Sequence, residues 1–482
     1  MIDFRPVLFI IGILVSTLAV AMFVPAAVDL AAGNDEWQVF GAAAALTLFI
    51  GVMVMTTTRS KVRNLSLRQA FILTTLSWIV MPAVAALPLV SSGLDLSYTD
   101  AFFEAMSGLT TTGSTVIIGL DFSQPGVLLW RALLQWLGGI GIIAMAISIL
   151  PLLQVGGMQL FRMESSDTSD KVMPRAAQIV TAIAIIYVAL TLICALLYWS
   201  FGMTGFDAIA HAMTTIATGG FSTHDASIGY FRSARIDATA TAFMIVGGLP
   251  FVLYLQALRG RPGSLLRDGQ VRWFLIVTAL SVAAMLWWLA GDEPGALPSA
   301  FRRAAFNVVS VITGTGYATE DFSDWGPFAV ALLFFLMFVG GCAGSTACGI
   351  KVFRFQVLYA TARCQMRRLL QPHGVFIPYY NKRPIAEEVT ASVMGFFFLY
   401  VIAFALIAIG LGMMNLDFIT AVSGAATAIS NVGPGLGPVI GPAGSFSFLP
   451  DEAKWLLSFA MLLGRLELFT VLVLFLPSFW RS

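Results

Sequence analysis

One short motif returns four times. Thr110-Thr111-Thr112-Gly113-Ser114 has three echoes: Ala217-Thr218-Gly219-Gly220, Gly314-Thr315-Gly316-Tyr317 and Asn431-Val432-Gly433-Pro434. The motifs lie roughly a hundred residues apart, which is the period of an internal repeat and governs any fold assignment. Each follows a short, half-apolar segment opening near Asp100, Asp207, Arg302 or Asp417, with Arg302 the exception among carboxylates. Each such segment stands between two long apolar runs. A chain patterned this way is expected to fold as four copies of one unit.

Composition says where those units reside. Of 482 residues, 58% are hydrophobic and 11% charged, too apolar to cover a soluble surface. Runs of about 20 apolar residues are the length of membrane spans. Two spans come first, near 7–28 and 39–55. The apolar run 4–30 has some look of a cleaved signal peptide, but it is too long and Asp3 spoils a basic head, so it reads as a retained span. Each unit is then an outer span, a short re-entrant helix, a glycine loop and an inner span. The expected divisions are 1–65 for the N-terminal helix pair and 66–170, 171–269, 270–383 and 384–482 for the four repeats. About ten full spans result. The fold class is an all-α membrane protein, with four pseudo-repeated span–re-entrant helix–span units around one pore.

Net charge is only +1, so the distribution matters more than the total. Lys and Arg gather in four links, Arg59 to Arg68, Arg162 to Arg175, Arg259 to Arg272 and Lys351 to Arg383. Segments on the other side hold Arg131, Arg232, Arg235, Arg302, Arg303 and Lys454. The positive-inside rule therefore places the links and both termini in the cytoplasm. Acidic residues favour the outer segments, which suits either cation attraction or a merely solvated rim. Cys194, Cys342, Cys348 and Cys364 have no metal-site spacing and read as small buried residues.

Non-helical backbone at membrane depth survives only when buried in protein or lining a watery cavity. Four glycine loops around one axis can replace an ion's hydration shell with carbonyl oxygens. Glycine permits the φ values that such loops need. The short helices would also aim their negative C-terminal ends at the cation.

These motifs resemble the Trk/Ktr/HKT superfamily of potassium transporters, closest to the Trk-type membrane subunit. The resemblance covers essentially the whole chain, and the extra N-terminal spans favour the Trk type. It rests on residues 110–114, 217–222, 313–317 and 430–435. It implies a potassium filter made of Thr111, Thr112, Gly113, Ser114, Ala217, Thr218, Gly219, Gly220, Gly314, Thr315, Gly316, Tyr317, Asn431, Val432, Gly433 and Pro434. One glycine per repeat is expected to be central, here Gly113, Gly219, Gly316 and Gly433. Serine in the first loop marks sodium-permeable relatives; Gly113 stands there instead.

Below the loops, the third inner span is interrupted by a run of small residues, Gly340 to Gly349, followed by Lys351. Such a run is a poor helix. It suits a small-residue contact between helices; the resemblance implies instead a mobile intramembrane gate involving Gly340, Gly341, Gly344, Ser345, Gly349 and Lys351. Arg465, inside an apolar run with Glu467 two residues on, must face a bundle interior or water. It serves either a structural ion pair or, by resemblance, control of cations near the axis. Glu104 could attract cations or brace the first loop, and is read as a brace because a filter needs fixed carbonyls; His211 is read as a packed residue, and His224 and His373 are uninformative.

The resemblance further implies a homodimer and a cytosolic, TrkA-type nucleotide-binding ring. That ring, not this chain, would bind NAD(H) and ATP or ADP. No phosphate-binding loop or metal cluster points to an enzyme, and nothing points to nucleic acid. The expectation is potassium uptake across a bacterial inner membrane. A sodium or weakly selective cation path is the alternative on the same scaffold; a membrane enzyme or a poreless scaffold are the rivals.

Overall fold

The computed structural model describes residues 2–59, 65–148, 172–292, 296–381 and 383–481. Parts of three basic links, with Lys61, Arg63, Arg162, Lys171 and Lys382, lie outside the described residues.

Four short helices set the architecture: Tyr98–Leu109, Gly205–Ile216, Leu297–Ile312 and Phe418–Ser430. At 1.5 Å per residue they reach about 18–24 Å, less than the ~30 Å hydrocarbon core. The carboxylates near three of these starts belong to the helix caps. Ser97 accepts from the Asp100 amide at 3.1 Å and donates to its carboxylate at 2.7 Å. Thr204 and Asp207 repeat this arrangement. Asp417 is itself the cap, accepting from the Thr420 amide. A negative group at a helix start also complements the dipole. The third helix has no side-chain cap and starts with Pro298 in its first turn, which explains why Arg302 broke the acidic pattern.

Each short helix is wedged between the following span of its own repeat and that of the preceding repeat. Tyr98–Leu109 packs on Pro125–Ser148 and on Asp451–Arg465; Gly205–Ile216 packs on Ala234–Gly247 and on Pro125–Ser148. Leu297–Ile312 packs on Pro327–Met337 and Ala234–Gly247, and Phe418–Ser430 on Asp451–Arg465 and Pro327–Met337. The series closes into a circle, so the four C-terminal ends meet.

The N-terminal pair, Arg5–Ala32 and Trp37–Thr57, packs as a hairpin through Gly12, Ser16 and Gly51, where a Cβ on either glycine would press on the partner backbone. Asp29 anchors the pair by accepting from the Gly126 amide at 2.7 Å.

Among the described residues, seven unbroken helices are long and apolar enough to cross a membrane. The expected ten spans differ from this because three inner spans are broken. Ala234–Gly247 and Phe251–Leu258 meet at 92°. Gly247-Gly248-Leu249-Pro250 lies between them, and proline cannot donate to the helix ladder. Asp451–Arg465 and Phe469–Phe475 meet at 109°, where Glu467 and Leu468 both have positive φ. The third inner span is Pro327–Met337, then irregular chain over 338–351, then Val352–Leu370, as the run of small residues led us to expect.

Candidate functional site

The four loops share one backbone pattern. One or two residues past each helix end φ turns positive: Thr111 (53°), Thr218 (49°), Gly314 (69°) and Asn431 (52°). Two residues on, φ is positive again at Gly113 (91°), Gly220 (81°), Gly316 (78°) and Gly433 (118°). Alternating the sign of φ turns successive carbonyls toward the same side of the strand. Hydrogen bonds confirm the register. Thr112, Gly219, Thr315 and Val432 each donate a backbone N–H to the carbonyl of Ser107, Thr214, Ser310 and Thr427. The second repeat is therefore one residue out of the expected alignment. Gly220 is the counterpart of Gly113, Gly316 and Gly433, and Gly219 is the counterpart of Thr112. Two adjacent glycines made the choice ambiguous in sequence; the helix-end hydrogen bond decides it.

A ring of contacts joins the loops. A Cβ on Gly113 would strike the Gly219 carbonyl oxygen, one on Gly220 the Thr315 oxygen, and one on Gly316 the Val432 oxygen. On Gly433 it would come within 3.0 Å of the Thr112 oxygen. Each central glycine thus abuts a carbonyl of the neighbouring loop, in cyclic order. On the side where the chain leaves the loops, Gly113, Gly220, Gly316 and Pro434 open onto one cavity of about 80 Å³.

Buried side chains hold these carbonyls in place. Gln135 donates to Gly219 O at 2.6 Å and accepts from the Phe221 amide at 2.9 Å. Ser114 donates to Gly433 O at 2.7 Å. Asn431 Nδ2 donates to Thr112 Oγ1 at 2.9 Å and to Met461 O at 3.0 Å. Tyr317 points away from the ring, its hydroxyl bonded to Thr214 at 2.5 Å; Ser310 donates to its carbonyl. Ala217 is the helix cap rather than a ring residue. Glu104 braces the first loop, as expected. It accepts from Val116 N at 2.8 Å, from Thr115 Oγ1 at 3.0 Å and from Arg131 Nε at 2.7 Å. Arg131 also donates to Ser222 O, linking the first two loops. The clustering of Arg131 with the outer charges had given no hint that it is buried. His211 is packed, with its nitrogens on Asp207 O and Ser222 Oγ, both 2.9 Å away.

His224 has a partner after all. Its Nδ1 lies 2.5 Å from Asp121 and its Nε2 lies 3.6 Å from Asp207, joining the chain after the first loop to that after the second. Burial alone would lower its pKa, but the two carboxylates outweigh burial and raise it.

On the opposite side of the ring, segment 338–351 lies directly against the loops. Thr346 Oγ1 donates to Ile216 O and Gly247 O, each at 3.0 Å. Thr218 Oγ1 donates to it at 3.2 Å. Cys348 Sγ is 3.5 Å from Thr111 Oγ1, and a Cβ added at Gly314 would come within 3.5 Å of its Cβ. Carbonyls freed where the second inner span breaks are thereby used: Gly248 O accepts from Cys342 N. Arg465 ends its helix under this segment. It donates to Thr346 O and Gly138 O, both at 3.2 Å, and touches Cys348 Sγ at 2.6 Å. Lys351 folds back onto Ala347 O. Gly344, Ser345, Gly349, Lys351 and Arg465 line a void of about 30 Å³, room for little more than a water. Gly340 pairs instead with Ile350 O, and Gly341 O accepts from Val352 N. Among the described residues Arg465 makes no ion pair; Glu467, two residues on, pairs with buried Arg354 at the start of the 352–370 helix. Arg354 was not singled out in the sequence because it stands in a basic run that reads as a solvated link.

A family model described as TrkH, cation transport protein, matches residues 36–482. The chain is 47% identical over 478 residues to the Trk system potassium uptake protein TrkI of Halomonas elongata, covering 99% of this chain and 97% of that protein. It is 39% identical over 487 residues to the Trk system potassium uptake protein TrkH of Vibrio parahaemolyticus, covering 100% of each. The crystal structure of the potassium transporter TrkH from Vibrio parahaemolyticus matches the whole fold with a TM-score of 0.93 at 37% identity, again over 100% of both chains. These relatives are transport proteins, not enzymes. With sequence and backbone agreeing from end to end, this multi-pass membrane chain belongs to the TrkH family of cation transport proteins.

Proposed function

We propose that this chain carries potassium across a bacterial inner membrane, with the ring of loop carbonyls as its selectivity filter. The observation that carries the reading is the cyclic contact of four glycines with four neighbouring carbonyls. Oxygens held so rigidly can substitute for the hydration shell of a monovalent ion. The four short helices add the negative ends of their dipoles at the same place. Potassium is favoured because the relatives are potassium uptake proteins and all four central positions are glycine.

Segment 338–351 is the gate in this reading. It occupies the exit from the ring and is tied down by neutral hydrogen bonds, each worth only about 0.5–1.5 kcal/mol. Arg465 adds one charge-assisted tie to the segment, at Thr346 O, is itself braced on Gly138 O of the first inner span, and holds a positive charge on the cation's route. The excess of Lys and Arg in the links supports a cytoplasmic position for them and for both termini. The helix Val352–Leu370 continues from the gate into that basic face, where a TrkA-type ring carrying NAD(H) and ATP or ADP would dock. The protein acts as a homodimer with one pore per protomer.

The test is rubidium uptake into liposomes containing the purified protein, with potassium, sodium and lithium competing. Potassium alone should compete at low concentration, and Arg465→Ala should raise uptake. Background uptake by well-folded protein would defeat the proposal; equal competition by sodium would favour the weakly selective path instead.

A further inference from the structure

We propose that the basic face contains a binding site for the phosphate-bearing headgroup of an anionic lipid. The site is the cavity between the start of the Gly269–Asp292 helix, the Val352–Leu370 helix and the chain leading into the hairpin at Tyr379–Tyr380. Its volume is about 470 Å³, the size of a small-ligand site. Arg272, Arg363 and Arg367 all line it. Arg363 and Arg367 are four residues apart and so share a helix face. Among the described residues, none of the three has a carboxylate within 4.0 Å. Arg272 Nε donates to Leu266 O at 2.7 Å, which fixes the direction of its guanidinium. Three uncompensated guanidinium groups on one concavity are suited to a phosphate, which accepts paired N–H bonds from each fork.

The depth of the cavity selects a lipid over a soluble phosphate. Arg272 and Trp273 lie in the first turn of a helix apolar enough to span a membrane. The cavity therefore sits where hydrocarbon gives way to headgroups. Trp273, Tyr359 and Tyr379 line it, with the first two rings 5.5 Å apart, and such residues favour that boundary. Basic pockets between spans on the cytoplasmic side bind multiply charged headgroups. Occupancy would also matter mechanically. Gln356 already ties the same helix to Gly269 O at 2.8 Å, and that helix begins where segment 338–351 ends. A headgroup bridging Arg272 to Arg363 and Arg367 would clamp the helix from which the segment hangs.

The experiment is native mass spectrometry of the full-length protein in detergent, titrated with cardiolipin, phosphatidylglycerol or phosphatidylcholine, and separately with ATP or NADH. Cardiolipin and phosphatidylglycerol should be retained at least tenfold better than phosphatidylcholine. Arg272→Gln/Arg363→Gln/Arg367→Gln should abolish the preference. A charge-matched control on the same face, Arg259→Gln/Arg261→Gln/Arg267→Gln, should keep it. Equal loss in both triple variants would reduce the effect to general surface charge and overturn the site. So would retention of ATP or NADH, sensitive to the first triple variant, without lipid preference. Binding is read here without ion flux, so its failure is distinguishable from failure of the transport reading.

Discussion

An added methyl at Gly316 separates backbone strain from displacement of a carbonyl. Gly316 and Gly119 both have φ of +78°. Alanine at either should cost about 1–2 kcal/mol for the left-handed conformation. Their surroundings differ. Nothing lies within 4 Å of a Cβ on Gly119, whereas at Gly316 it would overlap Val432 O and come within 2.8 Å of Pro434 Cδ. Val432 O would have to retreat by about 1 Å or more to reach ordinary van der Waals separation. If that oxygen helps to hold the ion, the loss is that of one charge-assisted contact, about 1.5–3 kcal/mol. At about 1.4 kcal/mol per factor of ten, discrimination should fall tenfold or more. The assay is rubidium uptake into liposomes with potassium and sodium competing. Gly119→Ala should keep wild-type competition and lose only some thermal stability. Gly316→Ala should lose the preference for potassium. If the two variants give the same competition curves, the carbonyl ring is not the selective element.

Glu104→Ala strands the Arg131 guanidinium, 1% exposed, without its counter-charge. The expected cost is about 3–5 kcal/mol, read as thermal unfolding in detergent. Glu104→Ala/Arg131→Met should recover much of it. The His224–Asp121 pair should make stability depend on pH. His224 is raised above 6.5, so its contribution is complete below that value and disappears as pH climbs through the higher folded-state pKa. For Asp121, burial works against the charge, but hydrogen bonding to His224 and Asp225 outweighs it and holds its pKa below 3.8; its contribution is lost only in stronger acid. The melting difference between wild type and His224→Gln should thus be greatest between about pH 4 and 6.5 and vanish on the alkaline side. It should amount to about 1 kcal/mol or less, because the pair is partly exposed. A difference that grows above pH 8 would reverse this assignment.

Much of the site was legible because it rests on local chemistry. The run of small residues around Gly344 announces non-helical backbone, and Glu104 reads as a brace rather than a cation attractor because loop carbonyls that meet an ion must be held fixed. What stayed hidden was every partner brought in from another repeat. Arg131 reads as one of several outer charges until Ser222 of the second repeat, together with Glu104 of its own, closes around it. Arg354 reads as part of a basic link until Glu467, 113 residues away, meets it. The bends at residues 248–250 and 466–468 were hidden for a related reason. Hydropathy is indifferent to the direction of a helix, and the freed carbonyls at the first bend are satisfied only because Cys342 and Thr346 arrive from the next repeat.

Taken by itself, the chain's order of residues determined its membrane class and the places of the four glycine loops, since these are properties of composition and spacing. Only the assembled structure decided the alignment of the second loop, making Gly220 rather than Gly219 the partner of a neighbouring carbonyl. The reason is physical. Adjacent glycines are interchangeable along a chain, but the bond from Gly219 N to Thr214 O and the approach of Thr315 O leave one arrangement in space.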